Sequence, residues 1–247
     1  MKAMVLAAGL GTRLRPLTDD RPKALVEVGG RAMLEITLSR LRDFGICEVV
    51  VNAHHFADKI VEYLKAHDNL GMRIEISREQ DLLDTGGGLK KAAHFFQGNS
   101  TTEEPFILHN VDVISTIDFR AMMRTHAEKK ALATLAVRER KTSRHLLFDE
   151  NLQLCGRRSG TDGHEEIVRL AKQTQPLAFC GIHLISPRIF SLMTEEGAFS
   201  IITTYLRLAA AGEKITAFRA DHYYWRDLGK PDDLRQAAED MEQGVLS

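Results

Sequence analysis

The segment Leu6-Ala7-Ala8-Gly9-Leu10-Gly11-Thr12-Arg13, entered from the apolar run that begins at Ala3, decides how this chain is read. An apolar run ending in small residues and glycine reads as a buried strand that enters a tight turn. Glycines at 9 and 11 let backbone N–H groups turn toward an anion and approach it closely, which a Cβ would obstruct. Arg13, and Lys23 within Arg21-Pro22-Lys23-Ala24-Leu25, can bring full positive charges to the same anion. Spacing excludes two familiar phosphate loops. The sixth position of a Gly-x-Gly-x-x-Gly dinucleotide fingerprint is Leu14, and no Gly-Lys-Ser/Thr ending closes a P-loop.

Working outward from that turn, strand-like and helix-like segments alternate through the first half. Residues 32–44 carry Leu34, Leu38, Leu41 and Phe44 at helical spacing, and residues 48–53 (EVVVNA) form a β-branched run that predicts a buried strand. A helical period returns over 56–65, an alternating strand over 73–77, a short helix over 88–96, an apolar strand over 105–110 and a helix over 118–129. Strands separated by helices predict a three-layer α/β/α fold with a mainly parallel sheet, whose ligands bind beyond the carboxyl ends of the strands. The second half is strand-like at 132–137, 145–148, 152–155, 167–170 and 178–185, with turns such as Ser159-Gly160 and Asp162-Gly163 between them. Helices over 187–193 and 201–211, strands over 214–219 and 223–225, and a helix opening at Pro231 complete the chain. No repeat or linker divides it. The expectation is one domain over 1–247, with 1–130 mainly for a nucleotide and 131–247 mainly for an acceptor.

Composition narrows the function classes. The 247 residues include 33 Lys+Arg against 34 Asp+Glu, a formal charge of −1, so no global field draws the chain to nucleic acid or anionic lipid. No apolar run reaches the ~18–20 residues of a membrane span, so no membrane partner is expected. Cys47, Cys155 and Cys180 fit no metal spacing and suit a reducing compartment. Arg13 and Arg15 follow the first apolar run without a signal-peptide cleavage pattern, and a cytoplasmic location is expected. Histidines 54, 55, 109 and 222 lie on different segments at no metal-ligand spacing. No Ser/His/Asp or Cys/His set stands out.

LAAGLGTR, followed by RPLT and RPKALVEVGG, resembles the sugar 1-phosphate nucleotidyltransferase family. The likeness continues through LLDTGGGLKKA at 82–92, NVDV at 110–113, FCGIHLISPRIF at 179–190 and WRDLGKPDDLRQA at 225–237. It implies a Rossmann-like fold of the nucleotide-diphospho-sugar transferase type and transfer of a nucleoside monophosphate from a triphosphate to a sugar 1-phosphate. Compact uridylyl- and guanylyltransferases are the nearest match in size and motif. The resemblance implies that Ala8, Gly9, Gly11 and Thr12 lie along the triphosphate, that Arg13 grips the departing pyrophosphate, and that Lys23 holds the α-phosphate. It places Thr85, Gly86 and Gly87 in a loop beside the base, Asn110 among the nucleotide contacts, and Asp112 and Asp227 on Mg²⁺. Two carboxylates joined by phosphates and water make an open site of the kind Mg²⁺ prefers. Arg13, Lys23 and Asp112 are thus the expected catalytic residues. Glu79, six residues before Thr85, stands where some relatives read the base, and its carboxylate can accept from guanine, uracil or cytosine.

Departures from the family pattern are informative. Its Gly-Asp pair is here Val111-Asp112, so either the ribose lies differently or Val111 turns into the core. The proline after the Val-Gly-Gly segment is Ala32, and the Glu-Lys-Pro stretch that holds sugar phosphate in many hexose-specific members is absent between Val137 and Phe179. Arg157, Arg158, Arg169 and Lys172 occur there, and nothing in the sequence selects one. Asn52 and His54 suit either an acceptor contact or a polar strand end. Asp118, Asp232 and Asp233 read as helix caps or surface residues. A phosphocholine-type cytidylyltransferase and a catalytically silent nucleotide-binding subunit are the alternative functions.

Overall fold

The computed structural model describes residues 1–97, 104–160 and 163–245. Strand β1 (Lys2–Leu6) leads through the glycine turn to a short hairpin, β2 (Glu27–Val28) and β3 (Arg31–Ala32). Then come α1 (Met33–Asp43), β4 (Glu48–Ala53), α2 (Ala57–Ala66), β5 (Arg73–Arg78), α3 (Asp84–Lys91) and α4 (Ala93–Phe96). The first half closes with β6 (Phe106–Asn110), β7 (Val113–Ser115) and α5 (Phe119–Lys129). The second half supplies β8 (Ala133–Arg138), β9 (Arg144–Phe148), β10 (Leu154–Ser159), β11 (His164–Ile167) and β12 (Gln175–Ile185). Helices α6 (Ile189–Leu192) and α7 (Ile201–Ala210), strands β13 (Ile215–Arg219) and β14 (Trp225–Asp227), and α8 (Pro231–Glu242) follow.

In the main sheet β1 lies between β4 and β6, with β5 beyond β4, and these four strands are parallel. Long β12 runs antiparallel to β6 and also pairs with β8 and β9, so one strand ties the two halves together. The expected three-layer architecture follows from where the side chains go. Ala3 and Val5 of β1, and Val49 and Val51 of β4, enter the core beneath α1, α2, α5 and α8, whereas Met4 and Val50 enter the core beneath α3, α6 and α7. A strand buried on both faces needs apolar side chains in both directions, which is why β1 and β4 read as unbroken apolar runs. Among the described residues, no helix is long and apolar enough to cross a membrane.

Local signals explain the helix ends. The Asp118 carboxylate accepts from the Arg120 and Ala121 amides at 2.8 and 3.2 Å, so it is the N-cap of α5. Pro231 starts α8, with Asp232 and Asp233 in its first turn where the helix dipole favours negative charge. Several boundaries differ from expectation. The segment expected at 167–170 is instead β11, ending at Ile167, because His164, Glu165 and Glu166 pair with Arg157, Arg158 and Ser159 of β10. Leu170 is left 92% exposed. The strand expected at 223–225 is β14 at Trp225–Asp227, since the Tyr223 amide closes a turn on the Ala220 carbonyl at 3.2 Å before the ladder with β7 starts. Asp162, read as part of a turn, lies outside the described residues. The largest difference concerns Thr85-Gly86-Gly87, expected as a loop and found in the first turns of α3.

Candidate active site

A cleft of about 520 Å³ opens at the carboxyl ends of β1, β4 and β6. Parallel strands end together there, so residues far apart in sequence arrive at one place. β1 delivers Ala8, Gly9, Gly11, Thr12 and Arg13; the turn beyond it delivers Lys23; β6 delivers Asn110 and then Asp112. Gly11 has φ of 66°, and a Cβ on it would fall 2.9 Å from Thr18 Cγ2 and 3.0 Å from Lys23 Cβ. The position therefore needs glycine both for conformation and for space. Its carbonyl accepts from Leu14 N at 2.9 Å and from Thr18 Oγ1 at 3.0 Å, which fixes the turn. The Gly9 and Gly11 N–H groups have no partner among the described residues. Gly9 has no neighbour within 4 Å of a built Cβ and faces open space.

Lys23 is buried to 8% exposure, and its ammonium donates to Asp112 Oδ2. A buried ammonium needs such a partner, and the pair sets a positive and a negative group on one wall of the cleft. Asp227 comes from 115 positions further along the chain, yet it stands on the adjacent ladder, opposite Val113, while the Leu228 amide donates to the Asp112 carbonyl at 2.8 Å. Asp227 Oδ1 accepts from Gly229 N at 2.7 Å. A Cβ on Gly229 would fall 2.5 Å from an Arg13 guanidinium nitrogen and 2.7 Å from Asp227 Oδ1, so Arg13 and Asp227 flank the same bare backbone. The donor set fits Mg²⁺: two hard carboxylates on neighbouring rungs, too few to enclose an ion by themselves, as Mg²⁺ sites completed by phosphate and water require. Among the described residues no group of three or more His, Cys, Asp or Glu could form a closed metal cage.

The opposite wall is more structural than the motifs suggest. Glu79 is 5% exposed, and its carboxylate accepts from Asn52 Nδ2 at 2.7 Å and from the Leu83 amide at 3.1 Å. Asn52 Oδ1 accepts in turn from Ala7 N at 2.7 Å, so an Asn–Glu bridge ties β1, β4 and the start of α3 together at the cleft floor. His54 Nδ1 lies 3.0 Å from the Glu79 carbonyl. Thr85 lines the cleft, but its Oγ1 accepts from Ile201 N at 3.0 Å and so caps α7. Gly86 and Gly87 do not line it. Their amides donate to the Phe199 carbonyl at 2.8 and 3.3 Å, and built Cβ atoms would meet the Phe199 ring at 2.3 Å and the Gly197 carbonyl at 2.4 Å. Val111 is 4% exposed with its amide on the Leu6 carbonyl, which answers the Val-for-Gly departure: the side chain packs in the core.

Asp84, Leu82, Ala198 and Gly229 also line the cleft and were not singled out from sequence. Asp84 and Gly229 sit inside the quoted LLDTGGG and WRDLGKPDD segments, so a signal existed; Ala198 reaches the site only through the packing of α3 on residues 197–199. A second cleft, of about 460 Å³, adjoins the first through Asp84, Thr85 and Asn110, and β9, β10 and β12 line its far side.

The nucleotidyl transferase family model matches residues 2–146. The N-acetylmuramate alpha-1-phosphate uridylyltransferase of Caulobacter vibrioides is 35% identical over 240 residues, covering 93% of this chain and 92% of that one. The D-glycero-alpha-D-manno-heptose 1-phosphate guanylyltransferase of Aneurinibacillus thermoaerophilus is 28% identical over 245 residues, covering 99% and 100%. Among solved structures, HddC from Yersinia pseudotuberculosis complexed with GMP-PN superposes with a TM-score of 0.75 at 22% identity, over 97% of this chain and 99% of that one, a likeness of fold.

Proposed function

Because the chain belongs to the nucleotidyl transferase family, and is a sugar 1-phosphate nucleotidyltransferase, we propose that the strand-end cleft performs its uridylyl or guanylyl transfer. The observation that supports this reading is the convergence of the Gly9–Arg13 turn, Lys23 and Asp112 on one opening, with Asp227 next to it beside Gly229.

A sugar 1-phosphate is already an anion, so no protein nucleophile is required. One of its phosphate oxygens attacks the α-phosphorus in line, the bond from that phosphorus to the bridging oxygen breaks, and pyrophosphate leaves with the electron pair. The chain's task is to hold two mutually repelling anions in reach of each other and to stabilise charge on the leaving oxygens. The unpaired Gly9 and Gly11 amides bind phosphate oxygens, and Arg13 neutralises the departing pyrophosphate. Lys23 shifts from Asp112 to the α-phosphate when triphosphate enters. That exchange leaves the Asp112 carboxylate, with Asp227, to hold Mg²⁺, which supplies further neutralisation of phosphate charge when bound. Residues 1–130 hold most of the nucleotide and 131–247 most of the acceptor. Asp84, Thr85 and Asn110 stand at the boundary. A nucleoside triphosphate substrate also fits a cytoplasmic reaction.

The test is pyrophosphate release with each of the four nucleoside triphosphates against a panel of sugar 1-phosphates and phosphocholine. UTP or GTP with a sugar 1-phosphate is the expected productive pair. Release with phosphocholine alone, or with no acceptor at all, would overturn the reading.

A further inference from the structure

Asp227 stands on a strand that the main sheet does not hold. Strand β14 is three residues long and pairs with β7 in a two-stranded ribbon apart from that sheet. A two-stranded ribbon is marginal by itself. Side chains alternate along a strand, so Trp225 and Asp227 share one face and Arg226 takes the other. On the first face the Trp225 indole N–H donates to the Cys180 carbonyl of β12 at 2.7 Å. The second face meets α8.

There Arg226 and Tyr224 converge on one carboxylate. Asp240 Oδ2 accepts from the Tyr224 hydroxyl at 2.6 Å, from Arg226 Nη2 at 2.9 Å and from Arg226 Nε at 3.2 Å. Arg226 Nε also donates to the Tyr224 hydroxyl at 3.1 Å, and Gln236 Nε2, one turn earlier on α8, donates to Asp240 Oδ1 at 3.2 Å. The Asp240 side chain is 14% exposed, so water competes with these bonds less than at an open surface pair. Asp240 is itself a fixed point. Leu234, Ala237, Ala238 and Met241 fall at i, i+3, i+4 and i+7 along α8 and pack into or against the core. The chain thus leaves Asp227, turns past Gly229 and returns as a helix that grips the strand from behind.

We propose that Asp240 is a positioning residue for the metal site: through Arg226 and Tyr224 it holds β14 so that the Asp227 carboxylate is in place when a divalent cation arrives with the triphosphate. This rests on the nucleotidyltransferase reading above, in which Asp112 and Asp227 hold Mg²⁺. Asp240 touches neither substrate nor ion, and its effect passes through the backbone that joins Arg226 to Asp227. A carboxylate fixed beforehand binds an ion without first paying to order a loose strand.

Mn²⁺ serves as the spectroscopic probe. Its binding is measured by electron paramagnetic resonance in the presence of a uridine or guanosine triphosphate analogue whose α- and β-phosphorus are joined by an uncleavable methylene bridge. Asp240→Ala is expected to weaken Mn²⁺ binding about 10-fold, the lower end of what loss of an outer-shell partner costs a metal site. Asp240→Asn keeps the side-chain volume and an acceptor for Tyr224 but loses the charge opposite Arg226. A smaller loss is expected from it, and it decides the matter if Asp240→Ala melts below the assay temperature. Asp240→Glu should recover part of the affinity, and excess Mg²⁺ should restore kcat for pyrophosphate release in the weakened variants. Glu213→Ala is the control. It breaks a two-pronged pair with Arg188, at 2.9 and 2.5 Å, that joins the ends of α6 and α7, and should lower the melting temperature without moving Mn²⁺ affinity. Wild-type Mn²⁺ affinity in Asp240→Ala and Asp240→Asn, or a loss no larger than in Glu213→Ala, would overturn the proposal and leave the nucleotidyltransferase reading standing. Wild-type Mn²⁺ affinity in Asp227→Asn would overturn the metal assignment of Asp227 and the proposal with it.

Discussion

Two glycine clusters flank the active-site cleft, and they use the same residue for opposite ends. At Gly9 and Gly11 the missing side chains expose backbone N–H groups that no described residue uses, and a Cβ on Gly9 would meet nothing within 4 Å. At Gly86, Gly87 and Gly88 the missing side chains let a helix touch its neighbours. The first two amides are bound to the Phe199 carbonyl, and a Cβ on Gly88 would fall 2.7 Å from Glu79 Oε1 and 2.9 Å from Asn52 Nδ2. One cluster leaves backbone free for a ligand, and the other spends it on packing that holds the cleft wall in place. A glycine run by itself therefore says only that something comes close to the backbone.

The largest expected effect lies on the ligand side of this contrast. Arg13→Ala removes the charge opposed to the leaving group and should lower turnover about 10²- to 10³-fold, on the scale of a lost transition-state donor, while the melting temperature holds. A variant that melts early would place Arg13 with packing instead. Next comes Gly87→Ala. Its Cβ would meet the Gly197 carbonyl at 2.4 Å, backbone that no rotamer change can move aside. Overpacking of this kind costs about 1–3 kcal/mol, which in a domain of this size lowers the melting temperature by several degrees. Melting at the wild-type temperature would break the comparison.

A smaller effect should appear with acid. His183 Nδ1 lies 2.9 Å from the Tyr205 hydroxyl of α7, and burial pushes the imidazole down to about 3. The folded state thus resists a proton that the unfolded chain accepts below about 6.5, so this contribution to stability is complete above pH ~6.5 and is lost as pH falls toward 3. His126, buried against Thr134 and Ser186 and pushed down to about 4, acts in the same direction. Because α7 and the residues before it hold the second glycine cluster, amides 86–92 should lose hydrogen-exchange protection between pH 6.5 and 4.5. Uniform loss across the chain would argue against this local coupling. The smallest effect is expected for Gly9→Ala: stability within about 0.5 kcal/mol of wild type, with a rise in KM for the triphosphate only.

Legibility in the sequence followed the same division. Strands β1, β4 and β6 were readable because both their faces are buried, which leaves an unbroken apolar run. The β10–β11 hairpin was misplaced because Arg157, Arg158, Glu165 and Glu166 satisfy one another across the ladder, and ion pairs leave no hydrophobic period to read. Residues 85–87 were read as a loop from their likeness to the family's loop beside the base, and contact with 197–199 holds these glycines in a helix that their low propensity disfavours. Placement of Ala8–Arg13, Lys23, Glu79, Asn110 and Asp112 at one cleft agrees with the motif reading, and their individual roles are what the variants above address.

By itself the sequence determined the family, the parallel half of the sheet and the cationic turn, since these rest on local runs and short motifs. Only the tertiary structure decided that Lys23 pairs with Asp112, that Gly86 and Gly87 serve packing, and that the Thr85 hydroxyl caps α7. The physical reason is common to all three. Each depends on which backbone or side-chain groups are already satisfied by a partner distant in sequence, and spacing along the chain carries no record of that.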